Sequence, residues 1–168
     1  MLWVNNATKN IFDTRTDHSC FIFFAFAKIA FYEKVNQELV NLSDVNTSHK
    51  VVDLACGAGA VTKSIIEKLK GACDGIVFGV DLSSVALNQA REELQSATDY
   101  MVRFIQGGAE NLWEPVKEKV DAVLFCNATH LVSDKIALAN EVRKTLKHGG
   151  IFAFNTSFYK GSHPPESG

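Results

Sequence analysis

The chain has little proline and no clustered cysteine. Three prolines stand in 168 residues, and the four cysteines, Cys20, Cys56, Cys73 and Cys126, are scattered with no Cys-x-x-Cys pair. Scattered thiols exclude a disulfide-stapled mini-domain, and with no secretory leader in view they lead to the expectation of reduced thiols in a cytoplasmic protein. The net charge is −2 and no basic run is present, so the electrostatic footprint of a nucleic-acid binder is missing and no nucleic-acid partner is expected. No membrane partner is expected either. The most apolar run, Phe21-Ile22-Phe23-Phe24-Ala25-Phe26-Ala27, is interrupted by Lys28 and is too short to cross a bilayer. No residues show the His/Cys/Asp/Glu spacing of a metal site, no serine stands in a nucleophile elbow, and no repeat or low-complexity block occurs. What remains is a hydrophobic content of 46%, enough for one domain with a substantial core.

The most informative stretch that is present is Val51-Val52-Asp53-Leu54-Ala55-Cys56-Gly57-Ala58-Gly59-Ala60. Val51, Val52 and Leu54 suit a buried parallel strand, and Gly57 and Gly59 permit backbone angles and close approaches that a side chain obstructs. Val61, Ile65 and Leu69 then mark one apolar helix face, with Glu67, Lys68 and Lys70 as polar positions beside it. The pattern is strand, glycine loop, helix. Such a loop is either a tight turn or the floor of a nucleotide-like ligand, because helix N-termini offer free N–H groups and crevices form beyond the carboxyl ends of parallel strands.

Gly75-Ile76-Val77-Phe78-Gly79-Val80-Asp81 reads as a second buried strand ending in a carboxylate, 22 residues beyond Gly59. An acid at about that spacing accepts hydrogen bonds from a ribose diol; its alternative is to cap the helix that begins near Ser84, with Leu87, Ala90 and Leu94 inward. Two cofactor classes fit. A nicotinamide fingerprint calls for Gly or Ala where this chain has Thr62, and Asp53 at the strand end sits poorly beside a pyrophosphate but well beside a cationic group.

These residues resemble the class I S-adenosylmethionine-dependent methyltransferases, in particular their small-molecule branch. Val51 to Gly59 is similar to that family's first motif and Gly79-Val80-Asp81-Leu82-Ser83 to its ribose-binding second. In order follow Phe104 to Leu112, which resembles the adenine-side loop, Asp121 to Asn127 the fourth strand, and Leu146 to Phe152 the turn into the fifth; the likeness runs from Val51 to Phe158. It implies an α/β, Rossmann-like, doubly wound parallel sheet of strand order 3-2-1-4-5 with helices on both faces and S-adenosylmethionine as cofactor. The backbone around Ala55, Cys56, Gly57 and Gly59 would line the methionine portion with Asp53 nearby. Asp81 would hold the ribose, Leu82 would pack on the adenine, Ala109 would offer its N–H to an adenine nitrogen, and Asn127 would border the methionine amine and the acceptor mouth. One departure is Gly108, where many relatives carry Asp; Glu110 or water would substitute, and one lost hydrogen bond costs about 0.5–1.5 kcal/mol.

The remaining chain is read as follows. Residues 1–47 form an arm and a cap helix with Ile29, Tyr32, Val35, Leu39 and Leu42 inward and Glu33, Lys34 and Gln37 outward. Residues 48–158 form the cofactor-binding core and 159–168 a polar tail, all within a single domain 1–168. Strands are expected at Val102–Gln106, Val120–Cys126 and Ile151–Phe154, with a last helix capped by Ser133, lined by Ile136, Ala139, Val142 and Leu146, and stopped by Gly149-Gly150. The family resemblance implies two further strands after the fifth, so the chain is read as lacking them, with its fifth-strand edge open to a homo-oligomeric partner. The expected function is methyl transfer to a small-molecule acceptor, the alternative a non-catalytic cofactor-binding module or an incomplete methyltransferase acting with a partner, and a nicotinamide dehydrogenase a third. His130 and His18 are candidates for a general base and His163 lies in the tail; no catalytic residue is assigned.

Overall fold

The computed structural model describes residues 30–46, 49–70, 75–98 and 101–155. The readings of the N-terminal arm, the Phe21–Ala27 run, Ile29, His18, His163 and the tail lie outside these residues.

Five strands, β1 (Lys50–Leu54), β2 (Ile76–Asp81), β3 (Val102–Gln106), β4 (Val120–Phe125) and β5 (Leu146–Phe154), pair in parallel in the order β3-β2-β1-β4-β5. The connections carry α1 (Ala30–Leu42) ahead of the sheet, then α2 (Ala60–Leu69), α3 (Ser84–Glu93), α4 (Gln95–Thr98), α5 (Trp113–Val116) and α6 (Lys135–Thr145). Short 3-10 turns occupy Ala109–Asn111 and Thr129–Leu131. The strands are apolar in both directions because both faces are covered. Alternate residues of one strand enter different cores: Val51, Val77, Ala122 and Leu124 pack with Val40 of α1 and Ile65 and Leu69 of α2, whereas Val52, Phe78 and Val123 pack with Val116 of α5 and Leu138 and Val142 of α6. Reversal of the strand order between β1 and β4 opens a crevice at their carboxyl ends, and it is there that the glycine loop lies.

Several local expectations need correction. The cap of α6 is Asp134, whose Oδ1 accepts from the Ile136 and Ala137 N–H groups at 2.9 and 2.8 Å, because the Ser133 hydroxyl instead donates to Glu110. The inner face of α6 is Leu138, Val142 and Thr145, and Ile136 is 75% exposed. Gly149 and Gly150 do not stop that helix. The chain turns extended at Leu146, and the two glycines lie inside β5, where the pairing slips between Val120 and Ala122 and Gly149 takes φ of +79°. In α1, Asn36 and Val40 are buried together with Ser43 just beyond it, while Leu42 is exposed. Glu33, Lys34 and Gln37 face outward as expected. Lys68, read as a polar position of α2, donates to the Val40 and Asn41 carbonyls and so satisfies the carboxyl end of α1.

Candidate functional site

The loop after β1 departs from strand geometry at once: Ala55 and Gly57 have φ of +56° and +54°, and Gly59, just ahead of α2, has +87°. Glycine reaches this region without cost, whereas Ala55 holds it against a steric penalty. The loop is pinned from both sides. The Cys56 N–H donates to the Val80 carbonyl at 3.1 Å, and the Gly59 N–H donates to the Cys56 carbonyl at 2.9 Å. A Cβ built on Gly57 meets nothing within 4 Å, so this face of the loop opens onto space that a ligand can enter closely.

Asp81 organises the other wall. Its Oδ2 accepts from the Gly57 N–H and its Oδ1 from the Ser83 N–H, both at 2.8 Å. The cap of α3 is Ser83, whose hydroxyl accepts from the Ala86 N–H, so capping does not account for Asp81. Each of its oxygens retains a further lone-pair direction that a diol can fill. Burial raises the Asp81 carboxyl against the lowering effect of the Ser83 and Gly57 N–H groups.

Asp53, at the end of β1, is 1% exposed, and the fully buried Thr62 of α2 donates to its Oδ2 at 2.6 Å. Burial pushes this carboxyl up to about 7, with Thr62 opposing and Asp81 adding to the rise. Neither acid forms an ion pair among the described residues. A buried acid and a half-buried one, with no counter-charge among the described residues, favour a cation and disfavour a pyrophosphate.

The remaining expected residues occupy the same end of the sheet. Leu82 is 57% exposed directly after Asp81, and Ala109 begins a 3-10 turn after β3. Asn127 follows β4 with φ of +56°; its Nδ2 donates to Asn36 Oδ1 at 2.8 Å and its N–H to Asn155 Oδ1 at 2.7 Å. Sequence reading did not single out Asn36 or Asn155. Asn36 stands four residues before Val40 on the buried stripe, the one available signal. The Asn155 Nδ2 is buried and has no hydrogen-bond partner among the described residues. Glu110 has Oε1 committed to the Ser133 hydroxyl and the Asp134 N–H at 2.8 and 2.7 Å, so it braces the approach to α6. His130 lies in the second 3-10 turn, held below its ordinary range by burial and by Lys135. Among the described residues no group of three His, Cys, Asp or Glu side chains is placed to hold a metal, and no helix is long and apolar enough to cross a membrane.

A doubly wound sheet with its glycine loop at the switch point and a carboxylate closing the second strand is the arrangement of nucleotide-binding α/β folds. The chain belongs to the class I S-adenosylmethionine-dependent methyltransferase family. The family model described as a methyltransferase domain matches residues 51–150, which take in both the loop and Asp81. Among similar proteins, aklanonic acid methyltransferase DauC of Streptomyces sp. (strain C5) is 25% identical over 142 residues, 82% of this chain and 63% of that protein. Trans-aconitate 2-methyltransferase of Rhodopseudomonas palustris (strain HaA2) is 33% identical over 118 residues, 70% of this chain and 42% of that protein. The crystal structure of YcgJ from Bacillus subtilis superposes with a TM-score of 0.62 at 26% identity, covering 72% of this chain and 50% of the other. The chain thus spans from less than half to under two thirds of the curated relatives it matches.

Proposed function

We propose that residues 48–158 are the cofactor-binding core of an S-adenosylmethionine-dependent methyltransferase acting on a small, rather apolar metabolite. The observation that carries this reading is the pairing of an open glycine loop with two carboxyl groups that have no counter-charge among the described residues, one of them bonded to the loop itself. When bound, S-adenosylmethionine supplies a methyl group on a positively charged sulfur, which an acceptor nucleophile displaces in line. The chain's own task is to hold, orient and shield.

In this reading Asp81 accepts from the two ribose hydroxyls while keeping its bonds to Gly57 and Ser83. Leu82 gives an exposed apolar surface for the adenine, and the Ala109 N–H meets a ring nitrogen. The backbone of Ala55, Cys56 and Gly57 lines the methionine portion, Gly59 opens α2 beneath it, and Asp53 lies behind. Asn127, fixed by Asn36 and Asn155, borders the acceptor mouth. A small-molecule acceptor accords with relatives named for aklanonic acid and trans-aconitate.

Two measurements test the reading. S-adenosylhomocysteine at about 100 times its dissociation constant is expected to stabilise the protein by about 2.7 kcal/mol, and NAD is expected to leave the melting temperature unchanged. Radiolabelled methyl transfer to a cell metabolite extract then reads catalysis. Binding without transfer would leave a cofactor-binding module, and stabilisation by NAD alone would overturn the assignment.

A further inference from the structure

The segment after β4 that carries His130 and Leu131 is strung between two anchors. At its near end the Asn127 N–H donates to Asn155 Oδ1 and the Thr129 hydroxyl to the Asn155 carbonyl at 3.1 Å, just beyond β5. The Leu131 N–H closes the turn between them on the Ala128 carbonyl at 2.9 Å. At its far end the Ser133 hydroxyl and the Asp134 N–H share Glu110 Oε1, and Asp134 in turn caps α6. Hydrogen bonds to a carboxylate are charge-assisted, the stronger kind. These two hold Glu110 below the ordinary carboxylate range, so the anchor keeps its charge near neutrality.

Glu110 reaches that segment from the other side of the site. It is the middle residue of the 3-10 turn Ala109–Asn111 after β3, which the Asn111 N–H closes on the Gly108 carbonyl at 3.2 Å. Its immediate neighbour is Ala109. The same stretch is tied to α6 a second time, in the opposite direction: Glu141 of α6 accepts from the Trp113 N–H at 2.8 Å, a donor that α5 cannot satisfy within its own first turn. Leu112 and Val116 lie in one buried cluster with Leu138 and Val142 of α6. Two carboxylates reaching in opposite directions across a shared apolar contact make residues 109–116 and α6 one body. The His130 turn hangs from its edge.

We infer that Glu110 is a positioning residue that couples the adenine side of the site to the acceptor side: a ligand held by the Ala109 N–H steadies the 109–111 turn, and Glu110 passes that restraint to residues 128–134. This rests on the cofactor reading above and adds to it a linkage between the two ligands. An acceptor that arrives after the cofactor meets a turn already ordered, and by reciprocity each ligand tightens binding of the other by the same factor.

The test is backbone hydrogen exchange resolved by NMR, in the free protein and with saturating 5′-methylthioadenosine. This ligand has the adenine and ribose but no amino-acid part to set beside Asn127. In wild-type protein it is expected to slow exchange of the hydrogen-bonded Leu131, Asp134, Ile136 and Ala137 amides about tenfold. Glu110→Gln keeps an oxygen for both donors and is expected to keep most of that slowing. Glu110→Ala removes the acceptor and is expected to bind the ligand yet slow these amides less than about twofold. The amides of Gly57 and Ser83, which bond to Asp81, are expected to slow alike in all three proteins, so loss of coupling is distinguished from loss of binding. A brace with no coupling role would speed exchange in free Glu110→Ala protein and leave the ligand-dependent ratio as in wild type, which overturns the inference. Wild-type protein that slows at Gly57 and Ser83 but not at Leu131 to Ala137 also overturns it, needs no variant, and leaves the cofactor reading standing. Failure of both 5′-methylthioadenosine and S-adenosylhomocysteine to bind wild-type protein overturns both.

Discussion

Asp121 stands at the start of β4 and Asp53 near the end of the adjacent β1, and the protein treats the two carboxylates in opposite ways. At the amino end of the sheet the described acids Asp121 and Glu118 both have partners. Asp121 accepts from Lys147 at 2.7 Å and from the Lys50 N–H at 2.8 Å, and these overcome a burial effect to leave it below the usual range. Glu118 takes Lys50 and Arg103 and is lowered chiefly by Lys50. At the carboxyl end Asp53 and Asp81 are raised, mainly by burial, and are bonded only by uncharged groups. The first arrangement is finished by the fold itself. The second has no charged partner among the described residues and, on the proposed reading, is completed by a positively charged and hydroxyl-bearing ligand.

The contrast can be broken at either end. The largest effect is expected from Asp81→Ala: loss of two charge-assisted hydrogen bonds to the ribose weakens S-adenosylhomocysteine binding about 100-fold or more by calorimetry, with the circular dichroism of the fold retained. Unchanged affinity would remove Asp81 from the site. Next is Asp53→Asn in the free protein. A carboxyl whose folded value lies above its unfolded value of 3.8 contributes stability that is lost as pH rises toward about 7. The variant is therefore expected to match wild type in denaturant stability near pH 4 and to exceed it by about 1–3 kcal/mol at pH 8. At the finished end the sign reverses. The stability Glu118 contributes is present above its unfolded value and is lost as pH falls, and Glu118→Gln is expected to cost at most about 1 kcal/mol at low ionic strength, to fade in 1 M salt and to leave cofactor affinity unchanged. The smallest effect belongs to Ala55→Gly. Relief of the +56° φ is offset by greater chain entropy in the unfolded state, for a net gain of about 0.5 kcal/mol or less in urea unfolding.

The sheet was legible because buried parallel strands are continuous apolar runs. Val102–Gln106 was read with the bounds observed, β1 and β4 to within one residue, and the order 3-2-1-4-5 came with the family resemblance carried by the Val51–Gly59 and Gly79–Ser83 motifs. The loop glycines and Asp81 stand where that pattern puts them. What escaped was set by tertiary partners. Ser133 and Asp134 are both good caps, and only the distant Glu110 decides that Ser133 is otherwise engaged. A glycine pair after a helix reads equally as a stop or a bulge, and pairing with β4 selects the bulge. Asn36 is polar on an inward stripe because Asn127, 91 residues away, supplies its partner. Short-range pattern carries none of these.

The most direct measurement is a crystal structure with S-adenosylhomocysteine bound. The account predicts the ribose diol on Asp81, the sulfur and ammonium over the Ala55–Gly57 backbone on the side of Asp53, and the adenine against Leu82 and Ala109. A crevice left empty at saturating ligand, or the ribose bound away from Asp81, would contradict it.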